Sequence, residues 1–559
     1  MNHIREQVHN CENEDWMVLP SVDVLVIGGG VNGLAVGREA AFSGWSVAVA
    51  EAEDFGAGTS AASSRLIHGG IRYLENFEVR LVRESLCERE RLLQNAPHLV
   101  KPFPLLIPFF SHNSRSARIL RLGMFLYDVL SFDKSTGRHR SLSAAEVIKD
   151  SPGIETRGLS GAVLYYDAQA AHAERLCIEQ ALDIANQGGR VDNHHRVVGL
   201  ARDGKELRVQ IVNTLTGRKF LQPARTVVNA AGPWVDKVLS HSSETSNQLI
   251  GGTKGSHLTV KRFPGAPSTG VHYEATSDGR AILVLPLPDG NYLIGSTDLF
   301  FEGDPSEAIM SDDEVSYLLQ EVNALIPQAR LAPEDIVHSV AGVRPLPYAP
   351  KAKSAAQVSR DHQVIAHPTL PGLFSISGGK LTTHRALGEL TMRVLKRHVH
   401  GLGRCPGESR SRTRRMKLPG ARCADWNGYQ AEFLKRSILP EPTARRLLDL
   451  YGIRAESVEA LARSDPALAA PISGTAHAIG AEVAIAVREE FAVTLTDIVA
   501  RRLLLAWSDD AGLQSLEAVA ELAATELKWD RQQTTTEIEA YREWILQRRP
   551  RFAKDLFPA

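Results

Sequence analysis

An apolar run, Val22-Asp23-Val24-Leu25-Val26-Ile27, passes directly into Gly28-Gly29-Gly30-Val31-Asn32-Gly33, and Glu51 closes the next apolar run. Strand, glycine turn, amphipathic helix, second strand and terminal acid make one βαβ unit, which commits this part of the chain to a Rossmann-like α/β nucleotide fold. Gly28 permits the tight turn, Gly30 lets backbone amides approach a pyrophosphate, and Gly33 lets the helix carrying Asn32 pack closely on the sheet. The helix N-terminus then faces negative charge. Glu51 lies 23 residues beyond Gly28, where a carboxylate takes both hydroxyls of an adenosine ribose. An acid there disfavours a 2′-phosphate, so the expected ligand is FAD or NAD rather than NADP.

At 559 residues the chain exceeds one ordinary core, and three or four structural units are expected. With 64 basic against 65 acidic residues there is no global field, which disfavours nucleic acid as a partner. The five cysteines are widely spaced, with no C-x-x-C and no metal-ligand pattern, so they read as reduced packing residues of a cytoplasmic protein with no metal. The opening twenty residues lack an apolar signal core, and no stretch approaches the roughly 20 apolar residues of a spanning helix. The chain is expected to lie on a membrane at most.

Residues 1–20 read as an added arm. From 21 to 403 strands and helices alternate, with antiparallel material inserted in the nucleotide fold. Leu207 to Val212 alternates with period two and turns at Leu215 to Arg218, and Ala281 to Pro286 pairs with Asn291 to Gly295 around Pro288-Asp289-Gly290. Such hairpins suggest an interleaved substrate-covering domain. Residues 404–417 read as a basic linker, and 418–559 as an all-helical domain, with helical spacing over Ala444 to Leu450, Glu482 to Phe491, Thr494 to Trp507 and Leu513 to Leu527.

Between Thr59 and Glu75 small, hydroxyl and cationic residues concentrate around Ser63-Ser64-Arg65-Leu66-Ile67-His68-Gly69-Gly70-Ile71-Arg72-Tyr73-Leu74-Glu75. This segment is similar to a signature of the FAD-dependent glycerol-3-phosphate dehydrogenases, the respiratory kind that passes electrons to quinone. The match continues in order through Phe125 to Asp128, Asn229 to Trp234, Lys254 to His257, Ile294 to Asp298, Gly342 to Leu346, Ser359 to Asp361 and Gly378 to Thr383. The residues alone support a flavin enzyme: strands 227–229 and 373–376 each end in a small-residue loop, and no second strand-bound G-x-G-x-x-G follows for NADH. The resemblance implies a D-amino-acid-oxidase-like fold binding FAD. It implies cofactor contacts from Thr59, Ser60, Ser63, Ser64, His68 and Gly69, from Ala231 and Gly232, and from Gly378, Gly379, Lys380, Leu381 and Thr382.

Glycerol 3-phosphate is a small dianion and calls for clustered cations with fork-like donors. Arg72, Arg360 and Lys380 match family positions that bind the phosphate, and Tyr73 adds a hydroxyl. Oxidation at C2 needs a proton acceptor, for which His257 is the first choice and His68 the second, while Arg344 polarises the developing alkoxide. The paired acids of many members are missing after Tyr165-Tyr166-Asp167, where the chain continues Ala171-His172-Ala173. The alternatives left open are an oxidase that uses oxygen and a related amine or amino-acid oxidase.

The Pro-rich run Phe103 to Phe110 is apolar yet unsuited to a helix, and Ser116 to Leu130 suits an amphipathic helix bearing Arg118 and Arg121. Together they are expected to anchor the protein peripherally on the inner face of the cytoplasmic membrane, beside its quinone, with the loop dipping between headgroups. The cations Arg410, Arg412, Arg414, Arg415 and Lys417 add expected attraction to anionic lipid. A homodimer stays open.

Overall fold

The computed structural model describes residues 16–74, 78–242, 247–352, 358, 360–400, 411–472 and 477–548; the side chains of Arg72, Tyr73, Val399 and His400 lie outside that description. Among the described residues the chain builds two large sheets and a C-terminal helical unit.

The first sheet runs in the order Gln363–Ala366, Leu373–Ser377, Lys219–Asn229, Val22–Ile27, Val47–Ala50, Arg190–Asp192. From Leu373–Ser377 to Arg190–Asp192 all neighbours are parallel. Parallel strands are buried on both faces, which is why Val24, Leu25, Val26 and Val47 to Val49 are apolar without alternation and almost wholly inaccessible. Helix Val31–Phe42 covers one face, packed against Ala173–Asn186 and His384–His400. The period-two strand Glu206–Asn213 turns back through Gly217, at φ +71°, to pair with Lys219–Asn229. Of the N-terminal arm, Met17–Val18 pairs alongside Phe220 and Leu221, while residues 1–15 lie outside the described residues.

In the second sheet the order is Leu299–Phe300, Thr253–Val260, Tyr292–Gly295, Ala281–Pro286, Gly270–Glu274, Lys101–Phe110, Leu159–Gln169, Leu66–Ile67. Ile336–Arg344 pairs along the other side of Thr253–Val260. The segment Phe103 to Phe110 is no lipid-dipping loop but a strand, paired antiparallel with Leu159–Gln169 with one register shift between Phe109 and Phe110, and with Phe109 at 2% and Phe110 at 8% exposure. Pro102, Pro104 and Pro108 share one parity, so their missing N–H groups fall on one side, where pairing to the next strand spans Leu105 and Leu106 alone.

Helices Trp426–Arg436, Glu441–Tyr451, Ala455–Ser464, Gly480–Arg488, Leu516–Leu527 and Arg531–Arg548 enclose two apolar cores. The expected continuous helix Thr494 to Trp507 is broken: Asp497–Arg502 forms a π-helical turn, and Leu504 at φ +58° redirects the chain into a short 3₁₀ turn, Leu505–Trp507. The described part of the basic linker is packed against the nucleotide domain, with Arg412, Arg414 and Arg415 exposed. Glu39 accepts from Ser411 and Thr413, Arg414 pairs with Glu389, and the Lys417 ammonium donates to the Cys423 carbonyl. Arg410 lies outside the described residues.

Candidate active site

A cavity of about 1170 Å³ lies between the two sheets, larger than the ~300–1,000 Å³ of ordinary small-molecule pockets. One end belongs to the first βαβ unit. Gly28 sits at φ +106°, where an added Cβ would lie 2.6 Å from the Ala230 carbonyl oxygen, and a Cβ on Gly33 would lie 2.0 Å from the Gly28 oxygen. The two loops and the helix are thus pressed together as a dinucleotide site needs. Val31 N–H donates to Ser60 Oγ at 3.0 Å. Glu51 accepts from Gly29 N–H at 2.5 Å and Glu53 N–H at 2.9 Å, while burial still pushes its carboxyl up to about 7.

The residues present fit FAD. Asn32 Oδ1 is buried at the cavity with no hydrogen-bond partner among the described residues, and beside Gly30 the space where a Cβ would stand meets only Ser60 Oγ. Residues 58–60 and 62–64, 230–234 and 379–382 continue the wall from the nucleotide turn toward the second sheet. Thr59 Oγ1 donates to the Val343 carbonyl and His68 N–H to Thr382 Oγ1, tying these loops to both sheets.

Two neighbouring strands of the second sheet, Thr253–Val260 and Ile336–Arg344, carry His257 and Arg344. His257 lies in Thr253–Val260, in a strand and not in a loop, opposite Gly295 and Val340. Gly295 is obligatory there, since a Cβ would stand 2.5 Å from the imidazole. Both ring nitrogens of His257 are buried without a partner among the described residues. Burial, with the charges of Arg344 and Arg65 adding, pushes His257 down to about 3, so the ring is neutral. His68 is held down to about 4 by burial, Asp167 opposing and Lys380, Arg360 and Arg89 adding.

Arg344 crosses the bare backbone of Gly255, where a Cβ would stand 2.1 Å from its guanidinium. It donates to Asp298 at 2.9 Å and Ser296 Oγ at 3.1 Å, and Arg360 donates to the other Asp298 oxygen at 3.0 Å. Behind them Glu314 accepts from Ser256 and Thr297 and pairs with Lys254 at 2.8 Å.

One cavity wall therefore brings together His68, His257, Arg344, Arg360 and Lys380 with the nucleotide residues Gly28, Gly30, Asn32, Glu51, Thr59, Ser60, Ser63, Ser64, Ala231, Gly232, Gly379, Leu381 and Thr382. Three expected contacts stand behind it. Gly33 is covered by the Gly28 carbonyl, the Gly69 amide is taken by Tyr127 Oη and Asp167, and the Gly378 amide donates to the Pro345 carbonyl. The side chains of Arg72 and Tyr73 lie outside the described residues; their backbone belongs to a 3₁₀ turn, Ile71–Leu74, next to the cavity. Sequence reasoning gave no role to Asp298, Ser296 or Glu314; the one available signal was an acid closing the matched block Ile294 to Asp298.

A nucleotide half joined through one cavity to a cation-bearing antiparallel sheet is the architecture of a flavin-dependent oxidoreductase. The family described as FAD dependent oxidoreductase matches residues 23–393, and that described as the C-terminal domain of alpha-glycerophosphate oxidase matches 411–534. Glycerol-3-phosphate dehydrogenase of Synechocystis sp. is 38% identical over 94% of this chain and 96% of its own, and D-erythritol 1-phosphate dehydrogenase of Brucella abortus 35% identical over 86% and 93%. In fold, the chain is similar to the FAD-complexed glycerol-3-phosphate dehydrogenase of Bacillus halodurans, with TM-score 0.78 and 23% identity over 99% of both chains. The chain belongs to the FAD-dependent glycerol-3-phosphate dehydrogenase family.

Proposed function

We propose that the protein oxidises sn-glycerol 3-phosphate to dihydroxyacetone phosphate and delivers the electrons to a membrane quinone. The observation that carries the reading is a neutral imidazole in the cavity wall, both its nitrogens unsatisfied among the described residues, with Arg344 and Arg360 in the same wall doubly held by Asp298. FAD supplies the hydride acceptor, N5 of the flavin ring, for the C2 hydrogen. Arg360 and Lys380, with Arg72 and Tyr73, grip the phosphate; Arg344 holds the C2 oxygen as negative charge grows on it. His257 takes the hydroxyl proton, and the substrate's dianionic phosphate favours the imidazolium that results. His68 is the second acceptor.

The quinone reading is supported by helix Ala117–Leu130. Ser116 caps it, and its outer face is apolar: Ile119, Leu122, Phe125, Leu126 and Val129 are 45–63% exposed, with Phe132 at 79% just beyond. Met124 and Tyr127 fix the opposite face to the protein. Spacing of three and four puts the exposed set on one stripe, flanked by Arg118 and Arg121, as an interfacial helix requires. Among the described residues no helix is long and apolar enough to cross a membrane.

Anaerobic addition of glycerol 3-phosphate to the holoenzyme should bleach the flavin absorbance, and a soluble quinone should restore it faster than oxygen does. Absence of bleaching overturns the substrate, and faster recovery with oxygen makes the protein an oxidase. A four-carbon polyol phosphate added in parallel should bleach the flavin more slowly.

A further inference from the structure

The segment bearing Glu51 is held from the far side by the C-terminal domain. Asp54, three residues on, is fully buried and accepts from Arg501 Nε at 2.5 Å, from Arg502 Nη1 at 2.6 Å and Nη2 at 2.9 Å, and from Asn193 Nδ2 at 2.9 Å. The π-helical turn Asp497–Arg502 aims two consecutive arginines at one carboxylate. Asp497 in that turn accepts from Arg501 at 2.7 Å and holds His194 at 2.9 Å, and Asn193 also donates to the Phe491 carbonyl at 2.9 Å. Phe55 meets Phe491 edge-on at 5.8 Å. The loops 51–57 and 192–197 are themselves joined, Glu51 O accepting from His195 N–H at 2.6 Å and Glu53 O from His194 N–H at 2.5 Å. Glu51 to Glu53 and His195 to Val197 both line the cavity at its nucleotide end.

From this geometry we infer that Arg501 and Arg502 are positioning residues for FAD: by clamping Asp54 and, through Asp497, His194, the C-terminal domain fixes the two loops that receive the adenosine half of the cofactor. Glu51 can present its carboxylate to the ribose only if its loop is held against Gly29, and the buried ion cluster supplies that fixed point. Binding is thereby coupled in both directions, since a loop ordered by FAD also presents Asp54 to the arginines.

The test measures FAD affinity of deflavinated full-length protein by fluorescence quenching. Asp54→Asn keeps the shape and removes the charge the arginines grip, and should weaken FAD on the order of tenfold. Glu490→Gln serves as control. The Glu490 side chain pairs with Arg175 and Arg454 in the same domain interface, and its backbone carbonyl, which accepts from Arg502 Nε at 2.8 Å, is kept in the variant; loss of the carboxylate should change FAD affinity less than about twofold. An unchanged affinity in Asp54→Asn, or equal weakening in both variants, overturns the inference. Should Asp54→Asn fail to fold, amide exchange in the wild-type protein decides. FAD should slow exchange over 495–503 as well as over 51–57, and protection confined to 51–57 refutes the coupling.

Discussion

Asp298 stands between Arg344 and Arg360 with one oxygen on each, so neither guanidinium is a loose surface charge. A preset spacing lowers the entropy lost when a dianion arrives. Replacing Arg360 or Lys380 by Met should raise the apparent KM for glycerol 3-phosphate about tenfold to a hundredfold, from charge-assisted bonds of about 1.5–3 kcal/mol each, while flavin content stays near stoichiometric. Steady-state kinetics with flavin quantitation checks this, and unchanged kinetics would remove these residues from the phosphate site. Asp298→Asn should release both arginines at once and impair kcat and KM together. The placement of Arg360 and Lys380 in one cavity wall was legible through the family resemblance, which marked both positions. Asp298 was not, since a carboxylate among arginines reads as a salt bridge until the fold sets it between two arginines that line the cavity. The bare backbones that seat Arg344 and His257, Gly255 and Gly295, belong to blocks the sequence singled out, but what they make room for is a cross-strand fact.

At the scale of elements, period-two and βαβ patterns were readable because each follows from local burial: Glu206–Asn213, Val22–Ile27 and Val47–Ala50 form as their spacing requires. The run Lys101–Phe110 was not, because a strand buried on both faces and a lipid-inserted loop share one apolar composition, and three prolines argue against a helix without choosing between them. The neighbouring helix Ala117–Leu130 shows the reverse. Its apolar stripe points outward and its buried side rests on Met124 and Tyr127. The double variant Leu122→Asp/Phe125→Asp should therefore sharply reduce cosedimentation with anionic vesicles while keeping full flavin content and bleaching by glycerol 3-phosphate. Phe109→Asp should instead give insoluble protein, since it buries a charge inside the second sheet. Vesicle binding unaffected by the double variant would assign the exposed stripe to another role.

Across the whole molecule, the helical domain is fastened to the nucleotide domain by charges taken out of water: Arg175 with Glu490, and Asp54 with Arg501 and Arg502. No spacing rule links positions more than three hundred residues apart, so this fastening could not be read from the sequence, although the helices themselves could. Together with the buried histidines it makes stability depend on pH in two stages. His68, His257 and His384 are buried and pushed down to about 4, 3 and 4 from 6.5. Between those values and 6.5 the unfolded chain binds more protons than the folded one, so their contribution is present above 6.5 and is lost as pH falls, at up to about 1.4 kcal/mol per pH unit for each. Glu51, raised to about 7 from 4.5, has the opposite sign and offsets one of the three between 4.5 and 7. Burial opposes the charge of Glu490, but Arg175 and Arg454 overcome it and hold the carboxyl at about 2, so its contribution is present above 4.5 and is lost as pH falls toward 2. Calorimetry of the FAD-free protein should accordingly show a Tm that declines from pH 6.5 downward and more steeply below 4.5. In Glu490→Gln the Tm should be lower at pH 7 yet fall less steeply below 4.5, because the group that must be protonated there is gone. A flat Tm between 6.5 and 5 would contradict the net proton uptake on unfolding that the depressed histidines require, and an NMR titration in which the His257 ring gains its proton above pH 5 would exclude a neutral imidazole as the proton acceptor.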